Sequence, residues 1–377
     1  MPTTTTNFFN ITILRSKLIE ALGIISHSVG SESSSLPILR YVLLRASGGS
    51  VFLTTTDLEV LTECSFLGKV SQPGVLALPF QVFSGIVKNL QNERITLTQD
   101  GLTLHILTDN YEASVYGQSA DDFPLIPSLE TPKARMVFPE RVLLEAFSRV
   151  AFATQHSDIR PEISGVRIHA DGNELVFVAT DSFRLARLAV SGEGVSFSDD
   201  PIFTLPIRTA QDLMRILTSS DGEVRVVSDG TQVFFETSSW KLTSRLVQGV
   251  FPNYTEIIPR EFRGEAELKR EEFIYGVKIA STLSGRANDL LIQSGSNKKF
   301  LEVRASESTL GENVCKIPAK ISGDQFSIMF NWKYVLQGLQ ASLGEEVEIR
   351  VGGADRPVLF RNPLDSRFLY VVMPIRG

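Results

Sequence analysis

The residue types that most often carry out chemistry are sparse in this chain, and their spacing suits none of the usual reactions. The imidazoles are His27, His105, His156 and His169, and no two stand at a spacing that would let them share a metal ion. The thiols, Cys64 and Cys315, lie far apart in strand-like stretches and read as small buried hydrophobes in a reducing compartment. No glycine-rich loop ending in Lys-Ser or Lys-Thr is present to cradle a phosphate, and no Gly-x-Ser-x-Gly elbow to raise a nucleophile. The adjacent acids Asp121-Asp122 and Asp199-Asp200 read as solvated loops. Thr180-Asp181 recurs as Thr56-Asp57, which favours a turn used twice over a catalytic pair. The expectation is a protein without metal or cofactor that acts by binding rather than by catalysis.

Cations carry the clearer binding signal. Six segments read as helices: residues 15–26, 79–91, 139–151, 206–218, 269–284 and 331–343. They hold eleven basic and six acidic residues, +5 in sum, so the chain's net charge of −6 leaves −11 elsewhere. Several basic residues share a helix face away from the apolar one: Arg208 with Arg215 two turns on, Arg141 with Arg149, and Lys333 continued by Gln337 and Gln340. A net −6 argues against a surface that grips phosphates broadly. A weakly positive face gathered from many helices remains compatible with nucleic acid.

The elements that must position these residues repeat three times. Each unit begins with an amphipathic helix, marked by Leu18, Ala21, Leu22 and Ile25, by Leu143, Ala146, Phe147 and Val150, and by Phe273, Ile274, Val277 and Ala280. A strand pair follows, then a short strand running directly into a second helix. That strand-to-helix passage is marked by Pro79, by Pro206 a further 127 residues on, and by Asn331 another 125 residues on. Proline suits a first helical position and asparagine an N-cap, so three residues share one role. Alternating strands complete the unit, with Asp100-Gly101 and Asp229-Gly230 as hairpin turns. Phe123-Pro124 and Phe251-Pro252, 128 apart, close the first two units. The expected boundaries are 1–129, 130–258 and 259–377. No apolar run is long enough to span a membrane, and the Thr-rich start lacks the form of a secretory signal.

Six helices per chain suggest a geometry. Twelve helices from two copies, about 10 Å apart, would line a circumference of about 120 Å and leave a hole of roughly 28 Å. Duplex DNA, about 20 Å wide, would pass with a layer of water and no base readout.

Five strings in fixed order complete the pattern: Ser35–Leu44, Asp122–Pro127, Val178–Ala186, Phe251–Tyr254 and Tyr370–Gly377. With the threefold repeat, they make the chain resemble the beta subunit of bacterial DNA polymerase III, the sliding clamp, from about Ile11 to the end. The resemblance implies an α+β fold of three repeated clamp domains, each with two helices packed on antiparallel sheets. It implies a head-to-tail homodimer forming a six-domain ring around duplex DNA. The processivity role is non-enzymatic, and the location cytoplasmic, at the nucleoid. Arg15, Lys17, Lys88, Arg141, Arg149, Arg208, Arg215, Lys278 and Lys333 would face DNA. Thr282 and Leu283 would lie at the dimer interface. A cleft between the second and third domains would take short peptide motifs of the replicative polymerase, the clamp loader and repair proteins. By position it comprises Ile163, Thr180, Ser182, Arg184, Leu185, Pro252, Ile257, Pro357, Val371, Met373, Pro374, Ile375 and Arg376. Leu185, Ile163, Ile257 and Val371 would wall an apolar pocket, Met373 would repack around different anchors, and Arg184 or Arg376 would meet polar groups of the peptide.

The chain departs from the family pattern at several points. Ser182-Phe183 stands where Gly with His or Tyr is frequent, and Glu256 where a basic residue is common. Gly30–Ser35 replaces a loop that presents Arg in some relatives, and Ala113 an aromatic at the dimer contact. Two other readings use the same residues: an enzyme with Asp181, Arg184 and Arg376 between domains, and a monomeric peptide-binding scaffold.

Overall fold

All six described helices grow straight out of strands in the computed structural model, which describes residues 9–127, 129 and 131–375. They are α1 (Arg15–Ile25), α2 (Phe80–Asn89), α3 (Glu140–Val150), α4 (Ile207–Ile216), α5 (Arg270–Ser281) and α6 (Trp332–Ala341). Pro79 and Pro206 sit one residue earlier than expected, as the last strand residue and N-cap rather than the first helical position. Asn331 caps α6, its side chain accepting from the Lys333 amide at 3.0 Å.

A helix that starts without a loop must still satisfy its first amide donors. Here the first helical N–H donates to a carbonyl of a neighbouring segment. Arg15 donates to Glu93 at 2.7 Å, Glu140 to Gly222 at 2.7 Å and Arg270 to Glu345 at 2.8 Å. Ile207 donates to Ser164 at 3.0 Å and Trp332 to Asn288 at 2.9 Å. The first three bonds belong to the first helix of each repeat and the last two to second helices. The threefold repeat is thus written in backbone bonding as well as in sequence.

The described chain falls into two compact units. One holds residues up to Glu140 with 197–199 and 220–246, and the other holds 141–196, 200–219 and residues from 247 onward. Compactness therefore divides the central repeat, because its strands pair outward on both sides. In the first unit, Val60–Leu67 pairs with Trp240–Arg245 to make one antiparallel sheet of nine strands, alongside a sheet of five. A single core joins them. It runs from Ile11, Ile95 and Leu97 of the smaller sheet, through Leu18, Leu22, Phe83 and Val87 of α1 and α2, to Leu44, Leu53 and Leu76 of the larger. In the second unit, Arg184–Val190 pairs with Asp365–Val372 inside a sheet of twelve strands.

Close approach of α6 to that sheet depends on Gly338. A Cβ there would lie 2.1 Å from the ring of Tyr370, so only glycine lets the helix settle on this fully buried tyrosine. Both cysteines are free, and burial pushes the Cys64 thiol up to about 12. No helix among the described residues is long and apolar enough to cross a membrane, and no cluster of three or more metal-ligating side chains occurs among them.

Candidate functional site

The Thr-Asp turns set the frame of the site. Thr180 Oγ1 donates to the Arg184 carbonyl at 2.7 Å and accepts from the Ser182 amide at 3.2 Å, while Asp181 Oδ1 accepts from the amides of Phe183 and Arg184, each at 3.0 Å. Thr56 and Asp57 repeat these bonds onto Val60, Leu58 and Glu59. The structural reading of the pair is therefore right. The third turn residue is left-handed in both, Leu58 at φ 78° and Ser182 at φ 79°. That region costs a non-glycine residue about 1 kcal/mol. Ser182 is further tied down by accepting a bond from Arg160 Nη1 at 2.7 Å.

From this turn, strand alternation sends successive side chains to opposite faces. Leu185, Val371, Val176, Val178, Ala189 and Leu359 point to the face away from the helices, where Ile163, Phe251 and Tyr254 join them in one buried cluster. Phe251, of the second Phe-Pro pair, plugs this face. Phe123 does the same in the first unit, against Ile38, Leu43 and Ala77. Around the cluster Pro252, Ile257, Pro357, Met373 and Pro374 are half-buried and Ile375 is exposed. Phe183 stands 61% exposed at the turn. The final segment is laid along the turn by a bond from the Met373 amide to the Phe183 carbonyl at 2.8 Å. The structure thus gathers most of the expected cleft residues around one apolar surface; Arg376 lies outside the described residues.

Arg184 does not belong to that surface. It points to the helix side with 8% exposure, donates to Asp181 Oδ2 at 2.9 Å and to Gln337 of α6, and lies 4.4 Å over the Tyr334 ring. Its charge is committed to joining turn and helix, so the expected role toward a peptide is corrected. The sequence could not show this, because Gln337 is 153 residues away.

The expected DNA-facing set is corrected in the same way at one residue, Arg149. Arg149 is 3% exposed. It donates to the Ala341 carbonyl at 3.0 Å and pairs with Asp365 at 3.0 Å and Glu145 at 3.1 Å. Burial alone would raise the Asp365 carboxyl, but bonds from Arg367 and Arg149 hold it below its ordinary value. Arg15 spends its guanidinium on the carbonyls of Val87 at 3.1 Å and Lys88 at 2.8 Å, the C-terminal end of α2. Arg270 does the same for the Leu339 carbonyl in the last turn of α6 and the Gly344 carbonyl beyond it. Lys17, Lys88, Arg141, Arg208, Arg215, Lys278 and Lys333 are exposed. Thr282 is exposed and Leu283 half-buried at the end of α5, the helix that also exposes Tyr275 and Ile279.

Sequence reasoning missed a polar group under the Phe251–Tyr254 loop. Tyr254 OH meets His169 Nε2 at 3.1 Å. Burial holds the His169 imidazole below its ordinary value, helped by Arg167 and Arg187 and opposed by Asp171. Burial raises the Tyr254 hydroxyl. The only signal was alternation: Arg167, His169 and Asp171 share one face of the strand Gly165–Asp171, opposite Val166, Ile168 and Ala170.

Comparison with known proteins follows the repeat. Residues 9–127, 138–253 and 255–376 match, in order, the N-terminal, central and C-terminal domains of the DNA polymerase III beta subunit. The chain belongs to that family, the bacterial sliding clamps. It is 31% identical to the beta sliding clamp of Synechocystis sp. over 96% of this chain and 98% of that one. It is 29% identical to the beta sliding clamp of Bacillus subtilis over 97% and 99%. The solved sliding clamp of B. subtilis matches with a TM-score of 0.92 at 27% identity, covering 99% of this chain and 100% of that one. That of Pseudomonas aeruginosa, bound to griselimycin, matches at 0.92 and 25% identity, covering 98% and 100%. The fold is accordingly the α+β fold of three sliding-clamp domains, and its role is that of a replication processivity factor.

Proposed function

We propose that two copies of this sliding clamp close head to tail around duplex DNA, each contributing the modules 1–129, 130–258 and 259–377. Partner proteins dock on the apolar surface around Leu185, Val371 and Met373. The observation that carries the docking reading is the pairing of Arg184–Val190 with Asp365–Val372. It brings an apolar strand of the central repeat beside one from the end of the chain and leaves Phe183 and Ile375 exposed at the rim. An extended segment with apolar anchors fits such a surface, and a flexible methionine adapts it to several sequences.

Two unpaired sheet edges support the dimer. Glu112–Tyr116 pairs on one side only, as does the first half of Gly311–Gly323, so strand addition between copies would satisfy both. Tyr116 and Val314 are exposed on these edges, and Thr282 and Leu283 lie on the same module as the second. The exposed cations Lys17, Lys88, Arg141, Arg208, Arg215, Lys278 and Lys333 would line the lumen, holding DNA by enclosure rather than by sequence. The role is non-catalytic and cytoplasmic, and the partners are the replicative polymerase, clamp loader and repair proteins.

Two measurements test this. Loaded by a clamp loader, the protein should stay on nicked circular DNA and run off the same DNA once linearised; equal retention on both would refute enclosure. Replacing Met373, Pro374 and Ile375 with alanine should weaken binding of a polymerase-derived peptide by at least about tenfold, the scale of losing buried apolar anchors. The dimer should survive, and retained affinity would move the docking site elsewhere.

A further inference from the structure

The apolar docking surface ends in a pair of arginines. Across three neighbouring strands the register places Arg167 opposite Val178 and Val178 opposite Arg187, so both arginines share the face that carries Leu185 and Val371 and flank a fully buried valine. At two strand spacings they stand about 10 Å apart. His169 occupies the next outward position on the same strand, with Tyr254 closing over it.

The balance of charge here is unfilled. Arg187 is engaged by the neutral Tyr254 hydroxyl and has one distant and largely exposed counter-charge, Asp171 at 3.7 Å. Arg167 is half-buried and has no carboxylate within salt-bridge distance among the described residues. Burial lowers its pKa, and the Tyr254 hydroxyl offsets this only in part. Glu256 on the covering loop does not serve, since it accepts from Asn253 Nδ2 at 2.7 Å. A half-buried arginine without a carboxylate partner, next to a second arginine and beside an apolar surface, is the arrangement that captures a carboxylate through paired N–H donors.

We propose that Arg167 and Arg187 form an anion subsite of the docking surface, which takes a carboxylate carried by the partner segment next to its apolar anchors. This rests on the docking reading above and adds the chemistry of the preferred segment. It also gives the clamp a source of acid selectivity in the sheet floor, where the loop residue Glu256 offers none.

Three fluorescein-labelled peptides with the same leucine and phenylalanine anchors provide the test, read by fluorescence anisotropy on the intact protein. The first is neutral with an amidated end, the second carries one aspartate beside the anchors, and the third is neutral with a free terminal carboxylate. Aspartate, the terminal carboxylate or both should tighten binding about tenfold over the neutral peptide, the scale of a charge-assisted pair in a partly dry site. Whichever peptide gains identifies the source of the carboxylate. The double variant Arg167→Gln and Arg187→Gln should erase that gain while leaving the neutral peptide within about twofold, and Arg167→Lys should keep part of it. Equal binding of all three by the unaltered protein overturns the subsite alone, and needs no variant to fold. A gain that persists in the double variant overturns it too. Failure of every peptide to bind overturns the docking reading and the subsite with it.

Discussion

The two sheet joints share a backbone and differ in what they turn outward. In the first unit Val60 lies opposite Ser244 and Leu61 opposite Thr243, and the Arg245 amide donates to the Glu59 carbonyl at 3.0 Å. In the second, Arg184 lies opposite Val372 and Leu185 opposite Val371, and the Met373 amide donates to the Phe183 carbonyl at 2.8 Å. Both joints begin at the same Thr-Asp turn. The first, however, carries outward charges that satisfy one another: Arg45 with Glu63 at 3.5 Å, Arg225 with Glu223 at 2.7 Å and Lys241 with Glu236 at 2.7 Å, around a cavity of about 680 Å³. The second packs leucine and valine into an apolar cluster with Phe183 exposed at its rim, and carries Arg187 with only a distant carboxylate. A repeated frame thus yields one self-satisfied surface and one that gains by being covered, and only the outward residues decide which is which.

The comparison can be broken most forcefully at the ion pairs. Arg149 and Asp365 are both largely buried beside the second joint. Replacing Arg149 with alanine should therefore cost about 1–3 kcal/mol, since Asp365 stays buried and keeps only Arg367 as its partner. Urea unfolding followed by hydrogen exchange should place the loss in the second unit; a change within about 0.5 kcal/mol would mean that the pair is dispensable.

A smaller effect comes from His169 and Tyr254. Because the folded protein holds His169 below its ordinary value of 6.5, the unfolded chain takes up a proton that the fold resists. Stability should be full above that value and fall as pH drops below it, toward the depressed folded pKa. Asp365 and Glu348, also held low, lose their contribution only in the more acidic carboxylate range. The substitution His169→Gln should flatten the decline below about pH 6.5 and leave the acidic carboxylate limb in place. Thermal melts across that range check it, and an unaltered slope would remove His169 as the cause.

The least effect is expected at the first joint. Glu59 and Arg245 are 63% and 66% exposed at 3.5 Å. The change Glu59→Ala should alter stability by less than about 1 kcal/mol and vanish in high salt, as exposed pairs do.

Much of the frame was legible because it rests on local chemistry. Helical spacing at Leu18, Ala21, Leu22 and Ile25 marks a face that is buried in the structure. Asp100-Gly101 and Asp229-Gly230 end strands as turn residues should, with both glycines left-handed. Thr180-Asp181 read as a turn because Thr56-Asp57 repeats it. What could not be read depends on distant partners. Arg149 looks like part of a solvent-facing stripe until Asp365, 216 residues on, is brought beside it. Arg184 looks like a ligand group until Gln337 and Tyr334 take it up. Resemblance supplied the cleft positions, but it could not supply Arg167 and Arg187, whose meaning depends on strand register.

The strand-to-helix passages leave no slack in the chain. With no residue between the last strand position and the first helical one, the pleat fixes the rotational phase of each helix. An insertion of one residue at Pro79, Pro206 or Asn331 would turn the following helix by about 100°, swinging much of its apolar face off the core. Length changes must therefore accumulate at the far ends of these helices, and the near ends should keep their residue count wherever the module is copied.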